Sequence, residues 1–141
     1  MKNLSVKEVE TIAFRLAQKH LTFNEPIPDF SSRFPNILES CLAVPFQKFS
    51  NQELYPSLVL KASILFYLMI KNHPFQNGNK RIAITTLLVF LAKNKKWLAF
   101  EDKQTLYGFT LWVAKSKPKE KDYVLLAIKS MISENLIKYK N

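Results

Sequence analysis

Apolar residues recur at helical spacing over most of the chain. Ser5 and Glu8 in S-V-K-E form a capping-box pattern, and Val6, Val9, Ile12, Ala13, Leu16 and Ala17 follow on one face to about His20. Residues 21–35 carry Pro26, Pro28 and Pro35 and read as a connection. Asn36 opens a second helix with Ile37, Leu38, Cys41 and Leu42 inward, stopping before Pro45. Residues 44–56, V-P-F-Q-K-F-S-N-Q-E-L-Y-P, fit no clean helical face and predict a short hairpin or an irregular flap. Pro56 suits the first turn of a long helix to about Lys71 whose apolar residues cover nearly all sides, interrupted by Lys61. Residues 72–78 interrupt it. A second, mostly apolar helix restarts at Asn79 or Lys80 and ends near Asn94. Two more helices follow, about 102–115 and 119–138, split at Lys117-Pro118, with residues 138–141 fraying.

The pattern is that of an all-α domain with two greasy helices at its centre. There is no internal repeat and no Ser/Gly-rich linker, so residues 1–141 are read as a single domain. The longest apolar runs, 58–70 and 82–92, fall short of the roughly 18–20 residues of a membrane span. Glu8 and Glu10 stand where a signal peptide needs an apolar stretch, so a cytoplasmic chain without a membrane partner is expected.

Composition narrows the chemistry. A single cysteine, Cys41, excludes an intramolecular disulfide framework and a cysteine-built zinc site. The two glycines, Gly78 and Gly108, lie too far apart for a P-loop or a dinucleotide-binding fingerprint. The net charge is +10, almost wholly from lysine, since Arg15, Arg33 and Arg81 are the only arginines. The lysine clusters at 93–96 and 115–121 lack interleaved aromatics and arginines, so a solvated surface is favoured over a nucleic-acid site. An acidic protein partner stays open.

Polar and charged residues concentrate at the junction of the two greasiest helices, in His73-Pro74-Phe75-Gln76-Asn77-Gly78-Asn79-Lys80-Arg81. Burying such a junction without partners is costly. A helix starting at Asn79 aims its first amides at one point, which makes a phosphate cradle that needs only one glycine. Arg81 adds a forked donor suited to phosphate oxygens and Lys80 a point charge. His73 can act as a general base near neutral pH.

The run H-P-F-Q-N-G-N-K-R resembles the signature of the Fic/Doc family, H-x-F-x-[D/E/N]-[G/A]-N-[K/G]-R, with His73, Phe75, Gly78, Asn79 and Arg81 in place. The resemblance implies a compact all-α bundle with a flap at 44–56. Lys80 stands where the adenylylating branch has Gly, and Ile84 where that branch has a second Arg. Both favour the Doc-like toxin branch. That branch implies binding of ATP and transfer of its terminal phosphoryl group to a protein hydroxyl, with translation elongation factor Tu as the known type of target. By the same resemblance His73 takes the proton from the target hydroxyl, and Phe75 packs into the core and holds the loop. Gly78 and Asn79 form the anion hole, and Lys80 and Arg81 bind and orient the phosphates. Asn77 replaces the family's magnesium-binding acid, so Mg²⁺ should bind weakly or be held mainly by ATP. A toxin of this kind implies a small acidic antitoxin. Three other readings stay open: AMP transfer, a non-catalytic relative decayed at Asn77, and a basic nucleic-acid binder. Ser130 to Asn135 also fits the Fic inhibitory pattern [S/T]-x-x-x-E-[G/N], but without the second arginine it is read as an ordinary helix terminus.

Overall fold

The computed structural model describes residues 1–20, 27–100 and 102–139. Among the described residues it is built from six helices. Helix α1 covers residues 6–20, α-helical at Val6–Glu8, π-helical at Val9–Phe14 and α-helical again at Arg15–His20. Helix α2 is Pro35–Ala43, α3 Leu58–Lys71, α4 Asn79–Lys93, α5 Lys103–Lys115 and α6 Lys121–Asn135. Two small antiparallel sheets join them. Strands β1 (Lys48–Phe49) and β2 (Gln52–Glu53) make a hairpin, and β3 (Lys96–Leu98) pairs with β4 (Leu136–Lys138).

Helices α3 and α4 are the centre, packed on each other, with α6 and α5 also against α3 and α1 and α5 against α4. Their burial follows from sequence. Among others, Ala62, Ile64, Leu65, Phe66, Met69 and Ile70 on α3, and Ile82, Ala83, Leu87, Phe90 and Leu91 on α4, are almost fully enclosed. Each of the leucine, isoleucine, phenylalanine and methionine side chains is worth about 1.5–3 kcal/mol when fully buried. Cys41 packs among them as a small apolar group. Burial pushes its thiol up to about 12, which keeps it protonated and unreactive.

Four expectations are corrected. The π-turn adds a residue to the first helix and shifts its phase, so Phe14 points inward and Ile12, expected inward, is 42% exposed. Helix α3 begins at Leu58 with Ser57 as its cap, the Ser57 hydroxyl accepting the Leu60 N–H at 3.1 Å, so Pro56 lies outside the first turn. The second helix starts one residue earlier than expected, with Pro35 at its first position. The last helix stops at Asn135 rather than 138. Leu136, Ile137 and Lys138 leave the helix to pair with Leu98, Trp97 and Lys96. Lys138 is therefore held in a strand, and the Tyr139 N–H donates to the Lys95 carbonyl at 3.1 Å. Residues 140 and 141, also expected to fray, lie outside the described residues, as do Pro26 and the rest of 21–26. The 44–56 segment is the hairpin alternative. Its turn residues Ser50 and Asn51 both have positive φ, 50° and 65°, which suits a tight two-residue turn.

Candidate active site: the loop between the central helices

Helix α3 ends where the Asn72 N–H makes its last bond to the Leu68 carbonyl at 2.9 Å. Pro74 cannot continue the helix, and His73 takes φ 50° to turn the chain. The Pro74 carbonyl accepts the Phe34 N–H at 2.9 Å, which ties the loop to the start of α2. His73 is thus fixed in backbone on both sides while its residue is exposed to solvent. That is the placement a general base needs to meet a large substrate.

Phe75 is 1% exposed. Its ring lies 5.7 Å from Phe14 and 5.7 Å from Phe30, which are themselves 5.3 Å apart edge to face. The π-turn of α1 is what turns Phe14 into this cluster. The loop therefore hangs on an aromatic anchor drawn from three separate segments.

Asn79 closes the loop. Its Oδ1 accepts the Phe75 N–H at 2.9 Å and its Nδ2 donates to the Phe75 carbonyl at 2.8 Å, both buried. The amide side chain mimics a strand partner and satisfies both backbone groups of one residue. Gly78 caps α4 in the left-handed conformation, φ 73° and ψ 13°, which a glycine takes without the Cβ penalty. Its carbonyl accepts the Ile82 N–H at 3.0 Å, the first bond of the helix. The N–H groups of residues 79–81 precede that bond and have no carbonyl of their own helix to meet, at the positive end of the α4 dipole.

Asn77 is half-buried, and its Oδ1 accepts the Gly78 N–H at 2.9 Å. Lys80 is half-buried and Arg81 is 6% exposed. The Arg81 Nε and Nη2 atoms are buried, and the residue makes contacts within the fold. Ile84, one turn on, is 3% exposed and lines an apolar cleft of about 250 Å³ with Leu16, Leu88 and Leu106.

The nine motif residues are therefore brought together in one closed turn on the N-terminus of α4. Asn79 bonds the loop's own backbone through its side chain, so what it offers to an anion is its N–H. The donor set suits a phosphate: a helix N-terminus, a lysine and an arginine. It does not suit a divalent cation held by protein. Among the described residues no three His, Cys, Asp or Glu side chains cluster, and the one oxygen at the acid position is a neutral amide already accepting a bond.

Sequence reasoning missed residues that hold this loop. Phe14, Phe30 and the Phe34 N–H carry no local signal, because their partners are distant in sequence. Lys71 was read only as a helix end, yet its ammonium donates to the Ala114 and Ser116 carbonyls at 3.1 and 2.6 Å.

Comparison with protein families matches residues 3–91 to the Fic/DOC family, well over half of the chain. The chain belongs to the Fic/DOC family. The matched span runs from the first helix almost to the end of α4 and includes hairpin, loop and motif; residues 92–141 lie beyond it. Members of this family are typically transferases acting on nucleotides and proteins. No curated protein and no solved structure matches the chain significantly. Among the described residues no helix is long and apolar enough to cross a membrane.

Proposed function

We propose that this family member is a Doc-like toxin that transfers the terminal phosphoryl group of ATP to a hydroxyl of a target protein, elongation factor Tu or a protein of its type, and so stops translation. One observation carries the choice of branch. The position where the AMP-transferring branch has its second arginine is Ile84, packed with Leu16, Leu88 and Leu106 in an apolar cleft. Ile84 carries no charge, and the cleft it lines also has Trp97 and Lys103 on its wall, so α4 itself offers Arg81 and Lys80 to phosphates and no third charge one turn on.

Bound ATP would supply the terminal phosphoryl group, with ADP as the leaving group. The chain supplies position and charge. The amides at the start of α4, with Lys80 and Arg81, hold and orient the phosphate oxygens. His73, exposed at the loop shoulder, takes the proton from the target hydroxyl, a contribution of about 10²–10⁴-fold for a general base. Phe75 and Asn79 keep the loop closed around this arrangement. Mg²⁺ would travel with the nucleotide, with Asn77 adding at most one neutral oxygen. A net charge of +10 supports a small acidic antitoxin as the restraining partner in the cytoplasm, and it gives nucleic acid no specific reader.

The test is transfer of label to elongation factor Tu from ATP labelled at the gamma or at the alpha phosphate. Retention of gamma label, absent with H73A, is the expected outcome. Retention of alpha label would replace the reading with AMP transfer. No retention of either, with purified wild type, would leave a non-catalytic relative.

A further inference from the structure

Lys61 is the one charged residue in the core of α3, and it is 0% exposed. Its ammonium donates to three oxygens: the Pro45 carbonyl at 3.3 Å, Glu53 Oε1 at 3.2 Å, and the Tyr55 carbonyl. It also lies 4.8 Å from the centre of the Phe46 ring. An ammonium has three N–H donors, and here each has an acceptor.

All of these partners belong to one segment and lie on both sides of its hairpin. Pro45 and Phe46 lead into β1, while Glu53 is the last residue of β2 and Tyr55 follows it. Apart from Lys61, the entry stem is held by Phe46, whose ring lies 6.2 Å from Phe90 on α4, and the two stems are joined by the Leu54 N–H donating to the Gln47 carbonyl at 3.1 Å; the strands themselves add little. Each strand has two residues, all four are exposed, and Phe49 is 74% exposed. An isolated two-stranded hairpin is marginal in water, and this one buries no apolar strand face. Burying a lysine without full compensation would be costly, so its retention in the apolar centre of α3 needs a return elsewhere. The return is that one side chain gathers both stems of the hairpin and fixes them to the central helix.

We propose that Lys61 is the positioning residue of the hairpin. It holds the two stems at a fixed place on α3 and thereby sets how firmly the exposed strand edges can take up a segment of the protein substrate. The part concerning substrate rests on the transferase reading above; the part concerning the clamp does not.

The test compares wild type with K61M, which keeps the length and apolar stem, and with E53Q, which leaves the lysine in place and removes the charge it meets. Hydrogen exchange over residues 47–56 reads the clamp. Loss of bonds from a charged donor should lower protection there about 10- to 100-fold in K61M and less in E53Q, with α3 and α4 amides unchanged. With elongation factor Tu as substrate, KM for the protein should rise by a similar factor in K61M while KM for ATP stays within about twofold. Unchanged protection in K61M overturns the proposal, as does lost protection with unchanged KM for the protein. If K61M does not fold, unchanged protection in E53Q overturns it. If wild type modifies no protein, the transferase reading fails by itself, and the exchange result still decides the clamp.

Discussion

Replacing Asn79 by Ala tests whether the motif loop is held by a side chain or by its backbone alone. The substitution removes two buried hydrogen bonds, of 2.9 and 2.8 Å, and leaves the Phe75 N–H and carbonyl without partners next to a ring that is 1% exposed. Each buried group left unsatisfied costs about 1–3 kcal/mol; with some water entering the loop, the loss should total about 2–4 kcal/mol. The measurement is urea unfolding with an unchanged m-value, so that the shift in midpoint reports stability alone. Asn79→Asp sharpens it. One carboxylate oxygen still accepts the Phe75 N–H, but the other replaces a donor and faces the Phe75 carbonyl. Only the protonated acid can donate there, so its pKa in the folded protein should rise above the unfolded value of about 3.9. The sign follows: the variant is penalised fully above its folded pKa, and the penalty is relieved as pH falls through it. A loss below about 0.5 kcal/mol for Asn79→Ala would refute the argument, because one ordinary hydrogen bond is worth more. So would an Asn79→Asp variant whose deficit relative to wild type is the same at every pH.

Three further outcomes follow from the same geometry. His73→Asn keeps a residue that tolerates φ 50° and should change stability by less than about 1 kcal/mol while transfer falls at least about 100-fold, read by melting and by label transfer. Gly108→Ala should stabilise, since a Cβ there meets nothing within 4 Å and the position is inside α5; about 0.5–1 kcal/mol, or about 2–4 °C in Tm, is expected by calorimetry. Glu8 takes a hydrogen bond from Lys93 at 2.7 Å and one from the Ser5 N–H, which hold its carboxyl below the ordinary 4.5. Its contribution is full above 4.5 and lost as pH falls through the lowered folded value. Glu8→Gln should therefore destabilise near neutral pH and match wild type in strong acid, as read by urea midpoints.

The sequence was legible where structure is local. The capping box at Ser5, the prolines at 35, 74 and 118 and the two greasy runs placed the helices within a few residues, and the H-P-F-Q-N-G-N-K-R run marked the site. What escaped was non-local. The π-turn breaks the 3.6-residue phase that any helical reading assumes, so Ile12, expected inward, is exposed and Phe14, which the period did not pick out, is buried. Leu136 and Ile137 extend the apolar period of α6, and only pairing with β3, some 40 residues earlier in the chain, draws them into a strand. The partners of Asn79 and Lys61 are mostly backbone carbonyls and amides, which no residue type announces. Lys61 did leave one trace, as the single charge in an otherwise apolar run.

The family match stops at residue 91, but the mechanical boundary of the site does not. Lys71 is the last residue of α3, two before His73, and its ammonium sits on the carbonyls that end α5. Cations are favoured at that end of a helix, so the contact stabilises both partners. At the far end of α4, Lys93 meets Glu8 and the Asn3 carbonyl, and the β3–β4 pair closes over the exit from the helix. Helices α3 and α4 are therefore pinned beside the loop and at the end remote from it by segments from both ends of the chain. A loop of seven residues between two such helices has little freedom to open except through its own bonds. Catalytic geometry held to a fraction of an ångström is easier to keep on rigid elements than on a mobile loop. The parts of the chain beyond the family match thus act on the site by fixing the two helices that carry it.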